Sequence, residues 1–433
     1  MGYNSLLRKI ILIIGDIICL YLATSIAMAL ELGNKQTDKI AFHLEFLPIL
    51  VIMMFFMFNV YGFFCLIRKK PGDIFLNLLV AVTNIYIIAM AMTFFFRQFD
   101  YSRVVLVYSA VFSFVLLAIW QYICHQWEWK YFPKQTAVLF AAGEEAARIQ
   151  MEQSLQSVCD SCQQTNWKQL IDANYYVFIG AELPIADKEK ILRYARSTKK
   201  QIFFVPTLYE LACKNTGFLL VDDIPMQRVT RMLLTAEQRV LKRILDIAVA
   251  VTALIILSPV ILITAVMIKL DSKGPVLYSQ ERVGLYGKTF FVHKFRSMKQ
   301  DAEAKCGPVL AAEGDPRITK FGRFMRATRL DELPQLFNVL KGEMSIVGPR
   351  PERPFFVKQF IAQKPEYDYR HNVKPGITGL AQIAGKYNTS AYDKMIYDLL
   401  YIQDVSVKTD LMIMLQTFKV LLTKSSTEGV QGK

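Results

Sequence analysis

The chain has 433 residues, 53% of them hydrophobic, with 30 Phe, 17 Met and a net charge of +14, which allows two or three domains and places it in a membrane-associated class. Its seven Cys do not read as a disulfide scaffold, because Cys19, Cys65 and Cys124 lie in or beside apolar runs and the other four face a reducing compartment on the topology below. From Arg239 onward 29 Lys and Arg stand against 18 Asp and Glu, a surface for anionic lipid headgroups or phosphorylated substrates; nucleic acid is set aside, since four apolar spans precede it and no nucleic-acid-binding motif is present.

Four stretches near the ~20 residues needed to cross a bilayer open the chain: roughly Ile10 to Leu30, Phe46 to Leu66, Ile74 to Phe96 and Val104 to Cys124. The first is long, lacks a small-residue cleavage site and is followed by three more, so it reads as a span rather than a signal peptide. Arg8 and Lys9 before the first span, and Arg68-Lys69-Lys70 between the second and third, put both ends of this region in the cytoplasm. Trp127, Trp129, Lys130 and Tyr131 then form an interfacial cluster, and Pro133 marks a boundary.

From Thr136 short apolar runs alternate with amphipathic stretches. Ala137 to Ala141, Tyr175 to Ile179 and Ile202 to Val205 read as strands, with helices near Glu144 to Leu155 and Asp187 to Thr198, which predicts a small parallel α/β domain. Its first turn, Ala141 to Ala146, carries one glycine, Gly143, and two acids, Glu144 and Glu145, at the helix start, where they would repel a pyrophosphate. A Rossmann-like scaffold that binds no nicotinamide cofactor is expected. Cys159 and Cys162 have C-x-x-C spacing but no second pair or His cluster, so two free thiols are expected.

A fifth apolar segment, Ile247 to Ile268, is interrupted by Ser258-Pro259. Arg239, Lys242 and Arg243 flank one end and Lys269, Lys273 and Arg282 the other, so both ends belong in the cytoplasm. Proline removes a backbone donor and clashes with the preceding turn, which allows the helix to kink and re-emerge on the side it entered; an ordinary kinked span is the alternative.

Downstream come Lys294-Phe295-Arg296-Ser297-Met298, Arg326 to Leu336, Val347 to Glu352 and Val373 to Leu380. Phosphoryl transfer needs cations to hold a diphosphate and a nucleophile in line with phosphorus. Asp331-Glu332 supplies adjacent carboxylates just after Arg326 and Arg329, and like charges so close resist joint ionisation unless cations or a metal offset them. Arg350, between Pro349 and Pro351, is a stiffly presented guanidinium suited to bidentate phosphate binding. Taken singly, each has a bland reading as solvated helix surface or loop charge.

Together with Lys242-Arg243-Ile244-Leu245-Asp246, the Ser258-Pro259 break, Gly274-Pro275-Val276, Gln280 to Gly284, Asn338 to Ser345 and Lys374-Pro375-Gly376-Ile377-Thr378-Gly379, these motifs resemble the bacterial sugar transferases of the monotopic phosphoglycosyl transferase superfamily, or polyprenyl glycosylphosphotransferases. The resemblance runs from about Arg239 to Leu422. It implies a membrane α-helical bundle of four spans (1–133), a degenerate Rossmann-like α/β domain (134–235) and an α/β-type monotopic catalytic domain (236–433) with a re-entrant membrane helix at about 244–270.

The resemblance further implies transfer of a sugar 1-phosphate from a UDP-sugar to undecaprenyl phosphate at the bacterial inner (cytoplasmic) membrane, with the catalytic domain facing the cytoplasm and UMP released, as the first membrane step of a surface polysaccharide. Asp331 would form a covalent phosphosugar intermediate, and Glu332 would assist as ligand of Mg2+ or as proton carrier. Lys294 and Arg326 would hold the reacting phosphates, Arg350 the leaving nucleotide, and Ser258 and Pro259 would set the re-entrant helix. Arg296, Arg329, Lys374 and Lys386 complete the expected substrate-binding set; at Lys386 many relatives carry Arg, so the charge is kept but the bidentate fork is lost. Asp398 and Asp410 lie in an acidic helical region with no assigned role. A homodimer through the middle domain is expected. The rivals are a non-catalytic membrane receptor or scaffold with a Rossmann-like sensor module, and a multi-pass transferase that moves sugar without phosphate.

Overall fold

A computed structural model describes residues 6–31, 37–64, 71–95, 102–131, 136–141, 157–159, 166–198, 200–213, 218–221, 224–227, 232–298, 315, 317–385 and 390–422. Contacts divide the chain into two compact units, Met1–Val205 and Pro206–Lys433.

The first unit begins with α1 (Leu6–Glu31), α2 (Thr37–Val60), α3 (Pro71–Phe95) and α4 (Arg103–Tyr131). The second span, expected to reach Leu66, stops at Val60 because Gly62 takes φ 65°. The Phe63 N–H then bonds the Phe58 carbonyl at 2.9 Å and the Gly62 N–H bonds that of Asn59 at 3.1 Å, closing the helix in a Schellman motif. Among the described residues, Arg8–Glu31, Pro71–Phe94, Arg103–Glu128 and Ala236–Asp271 are helices long and apolar enough to cross a membrane, while the apolar part of α2, Glu45–Val60, is shorter.

A polar seam registers α1 on α4. Arg8, read from sequence as a flanking charge, is buried and ion-paired with Glu128, and the Gln121 amide donates to the Asp16 carboxylate at 2.7 Å. In an apolar surround such groups persist only when paired. Beside the second contact Gly15 lies against the Trp120 ring, which a Cβ would meet at 2.0 Å.

The unit ends in a parallel sheet of β1 (Ala137–Phe140), β2 (Ser157–Cys159), β3 (Tyr176–Ile179) and β4 (Gln201–Phe204) in the order β2-β1-β3-β4, with helices α5 (Trp167–Ala173) and α6 (Ile185–Ser197). Val138, Phe140, Ile171, Val177, Ile179, Ile191 and Ala195 form its core. The three expected strands are present. β2 and α5 escaped the sequence reading because each is too short to establish a period. The expected helix Glu144 to Leu155, Glu144 and Glu145 of the first turn and Cys162 lie outside the described residues.

The second unit opens with α7 (Leu208–Ala212) and the antiparallel hairpin β5 (Phe218–Val221) and β6 (Ile224–Gln227). Leu208, Leu211, Met232 and Leu234 pack into a core shared with Val339, Val347 and Leu399, so contacts place residues 206–235, read from sequence as the end of the α/β domain, with the C-terminal unit. α8 (Ala236–Asp271) starts at a capping box of Thr235 and Gln238 and runs unbroken for 36 residues, about 54 Å at 1.5 Å per residue. It is continuous through Pro259, and Ser258 Oγ bonds the Ile255 carbonyl at 2.9 Å.

Its two ends rest on the same unit. Lys242, Asp246 and Ala250 are buried near the start, and Ile261, Ala265 and Ile268 pack around Phe295 and Met325 near the finish. Between them Ile255 is 69% and Leu262 67% exposed, bare apolar surface of the kind that marks a membrane or partner contact.

The remaining elements are the hairpin β7 (Leu277–Val283) and β8 (Thr289–Phe295), α9 (Lys320–Thr328), α10 (Gln335–Lys341), β9 (Ser345–Val347), α11 (Pro354–Gln363), β10 (Gly376–Thr378), α12 (Leu380–Ala384), α13 (Ala391–Gln403) and α14 (Val407–Leu422). β9 and β10 pair in parallel, and beyond β9 the backbones of Gly348 and Gly376 meet so closely that a Cβ on Gly376 would lie 2.1 Å from the Gly348 nitrogen. Only glycine fits there, and the contact fixes the path of the chain into Pro349-Arg350-Pro351.

Candidate active site

The sequence Leu330-Asp331-Glu332-Leu333 forms a 3-10 turn whose side chains separate by chemistry. Leu330 and Leu333 pack with Phe295 and Met325, which turns Asp331 and Glu332 away from that core into a cluster of cations. Arg329, which closes α9 and opens the turn, has φ 59°. A left-handed non-glycine is strained, and strain of this kind gathers at functional sites.

Glu332 Oε1 accepts from Lys294 Nζ at 3.0 Å and from Arg350 NH2 at 2.7 Å. Burial alone would raise its carboxyl, but Arg350 and Lys294 hold it well below the usual carboxylate range. Asp331 differs: among the described residues its carboxylate has no hydrogen-bond or ion-pair partner, although Lys294, Arg326 and Arg329 act on it through space. Burial, and then the charge of Glu332, push the Asp331 carboxyl above its ordinary value. Two adjacent carboxylates therefore have opposite shifts. One is locked to cations, and the other is buried with its oxygens uncommitted.

Each cation has its own support. β8 alternates, so Phe295 enters the core while Lys294 reaches Glu332. Asn338 on α10 fixes this strand by accepting the His293 N–H at 3.1 Å and donating to the Phe291 carbonyl at 2.7 Å. Arg326 Nε donates to Ser297 Oγ at 3.0 Å. Arg350 sits on the loop after β9, whose strand is tied down twice: Asp246 accepts the Ile346 N–H and Ser345 Oγ, each at 2.9 Å, and the Tyr401 hydroxyl reaches the Val347 carbonyl at 3.1 Å. Tyr401 in turn joins Lys242 and Asp410, which form an ion pair at 2.7 Å.

Asp331, Glu332, Lys294, Arg326, Arg329 and Arg350 are thus brought together, and others are placed elsewhere. Arg296 is buried and donates to the Ser272 carbonyl at 2.7 Å, tying β8 to the end of α8 rather than facing the acid pair. Burial and the neighbours Arg243 and Lys242 lower the Lys374 ammonium, which stands by the first turns of α8. Lys386 lies outside the described residues. Sequence reasoning gave no role to Asn338, Tyr401, Asp398 or Asp410, and singled out neither Arg370 nor Tyr367. Their partners lie far along the chain, and only the unusual presence of acids in apolar helices marked two of them.

Residues 237–424 match the family model described as bacterial sugar transferase, and residues 60–166 match one described as a CoA-binding domain. Over 136 residues the chain is 52% identical to a Bacillus subtilis protein provisionally named an undecaprenyl-phosphate N-acetylgalactosaminyl 1-phosphate transferase, covering 31% of this chain and 75% of that one. It is 44% identical over 211 residues to the UDP-N-acetylgalactosamine-undecaprenyl-phosphate N-acetylgalactosaminephosphotransferase of Aeromonas hydrophila, covering 48% of this chain and 50% of that one. It is 40% identical over 235 residues to the UDP-glucose:undecaprenyl-phosphate glucose-1-phosphate transferase of Klebsiella pneumoniae, covering 53% and 50% respectively. The match thus spans about half the length of the latter two relatives.

Proposed function

The chain belongs to the bacterial sugar transferase family, and from that premise we propose that it transfers a sugar 1-phosphate from a UDP-sugar to undecaprenyl phosphate and releases UMP. The observation that carries this is the division of labour between neighbours: Glu332 is committed to Lys294 and Arg350, while Asp331 is free to attack.

A diphosphate diester carries two negative charges. Four cations around two carboxylates leave two positive charges in excess, which suits such a substrate. An Asp331 oxygen attacks the sugar-bearing phosphorus, the bond from that phosphorus to the bridging oxygen breaks, and UMP leaves with the electron pair on that oxygen. Lys294, Arg326 and Arg350 hold the charge as it shifts toward the leaving phosphate. A phosphate oxygen of undecaprenyl phosphate then attacks the aspartyl phosphosugar, freeing the carboxylate and forming a lipid diphosphosugar. Glu332, held ionised, acts by orienting Lys294 and Arg350; its ion pairs do not support a proton-carrying role.

Among the described residues no group of three acidic, His or Cys side chains gathers around one point. The donor set nevertheless fits Mg2+, which binds through one or two carboxylates and completes its shell with phosphate oxygens and water. Asp331 and Glu332 would hold it, and bound there it would supply further charge neutralisation of the diphosphate. The test of the reaction is the nucleotide: membranes containing the protein, given a panel of UDP-sugars and undecaprenyl phosphate, are expected to release UMP. Release of UDP, or of nothing across the panel, overturns the reading.

The site lies at the inner leaflet on this reading, with α8 re-entrant. Support comes from its two ends, which pack on one unit, so that crossing would place that unit on both sides of a ~30 Å hydrocarbon core. Lys273→Cys is expected to resist an impermeant thiol reagent in intact cells and to react after lysis; labelling in intact cells refutes re-entry.

A further inference from the structure

We infer that Arg370 and Asp398 form a positioning pair that sets where the Arg350 guanidinium stands, an inference that rests on the phosphotransfer reading above. The flanking prolines fix the φ of residues 349 and 351 but leave the peptide that carries the Arg350 carbonyl to be held by something else. That carbonyl accepts from Arg370 NH2 at 2.9 Å. The Arg370 guanidinium is 5% exposed and shared among three partners: Nε and NH2 reach Asp398 Oδ2 at 3.1 and 2.8 Å, and NH1 donates to the Tyr367 hydroxyl.

Asp398 is 2% exposed on α13. Removing two such charges from water is costly, and burying the pair is a weak source of stability. Its location, one hydrogen bond behind the residue that pairs with Glu332, accounts for it better. Just downstream the hairpin contributes Arg282, which donates to the Pro351 carbonyl at 3.1 Å, and the Val283 N–H, which donates to the Glu352 carbonyl at 2.9 Å. Consecutive carbonyls from Arg350 to Glu352 are therefore held, the first by the Arg370 fork and the next two by β7. The Arg350 side chain is 36% exposed, so beyond its ion pair with Glu332 it takes its direction from the backbone rather than from packing.

Arg370→Lys keeps the charge opposite Asp398 but cannot reach Asp398, Tyr367 and the Arg350 carbonyl together. In the full-length protein this variant is expected to lose roughly 10–100-fold in kcat for UMP release, since a misplacement near 1 Å costs about that much. Phenylglyoxal labelling of Arg350, read by mass spectrometry on the peptide that contains it, is expected to speed up several-fold. Asp398→Asn should act in the same direction, and Asp368→Asn, which removes only an exposed partner of His371, should leave both readouts at wild-type values. The inference is overturned if Arg370→Lys labels and turns over like wild type, or if both Arg370→Lys and Asp398→Asn simply lose their folding transition, which would make the pair structural. Should the wild-type protein release no UMP, the phosphotransfer reading fails, and the labelling rates still decide whether the pair positions Arg350.

Discussion

Asp331→Asn is expected to abolish UMP release, a loss of at least about 10^4-fold, because it removes the only carboxylate in the cluster free to attack phosphorus and an amide oxygen does not replace it. Folding should survive, since Asn has nearly the same shape and no longer repels Glu332. The shift of Asp331 makes two further measurements possible. Attack requires the ionised carboxylate, and its carboxyl is raised by burial, so the acid limb of kcat/KM should lie above the ordinary aspartate value of ~3.9. For stability the sign is opposite to that of a salt-bridged acid: a raised carboxyl stabilises the fold most when protonated, below its unfolded value, and that contribution is lost as pH rises through the folded value. The Asn variant should therefore lose less stability than wild type as pH rises above the ordinary aspartate value of ~3.9. An active variant, or a wild-type acid limb at or below 3.9, contradicts the assignment of the nucleophile.

Arg350→Ala is expected to lower kcat by roughly 10²- to 10³-fold, the range seen when one preorganised charge-stabilising donor is removed. Two effects combine. The leaving phosphate loses its forked donor, and Glu332 is left with Lys294 as its closest remaining cation. Arg350→Lys should recover only part of the loss, because a point charge does not reproduce two parallel N–H bonds. Steady-state UMP release from the three proteins checks this; a lysine variant equal to wild type shows that charge alone suffices at this position.

Leu330-Asp331-Glu332-Leu333 illustrates how far a local pattern reaches. Two acids just after Arg326 and Arg329 mark a cluster of opposite charges, and the leucines on either side of them are the ones that pack on the core. Which acid is free cannot be read there, because Lys294 and Arg350 approach Glu332 from 38 and 18 residues away. Arg296 shows the reverse error. Lys294, two residues earlier, is at the site, but the strand ends at Phe295, and Arg296 beyond it is buried and tied to Ser272 at the end of α8.

The apolar helices, the parallel α/β sheet and the pairing of acids with Arg326 and Arg329 were present in the linear order of residues, because each depends on composition, on a short period or on neighbours a few positions apart; the family was legible through its motifs, by resemblance. Tertiary structure alone decided which carboxylate is committed, and that Asp246, Tyr401, Arg370 and Asp398 hold the strand and loop leading to Arg350. Those are contacts between residues 18 to 100 positions apart, and whether a buried charge is paired depends on what folding brings beside it rather than on what precedes it in the chain.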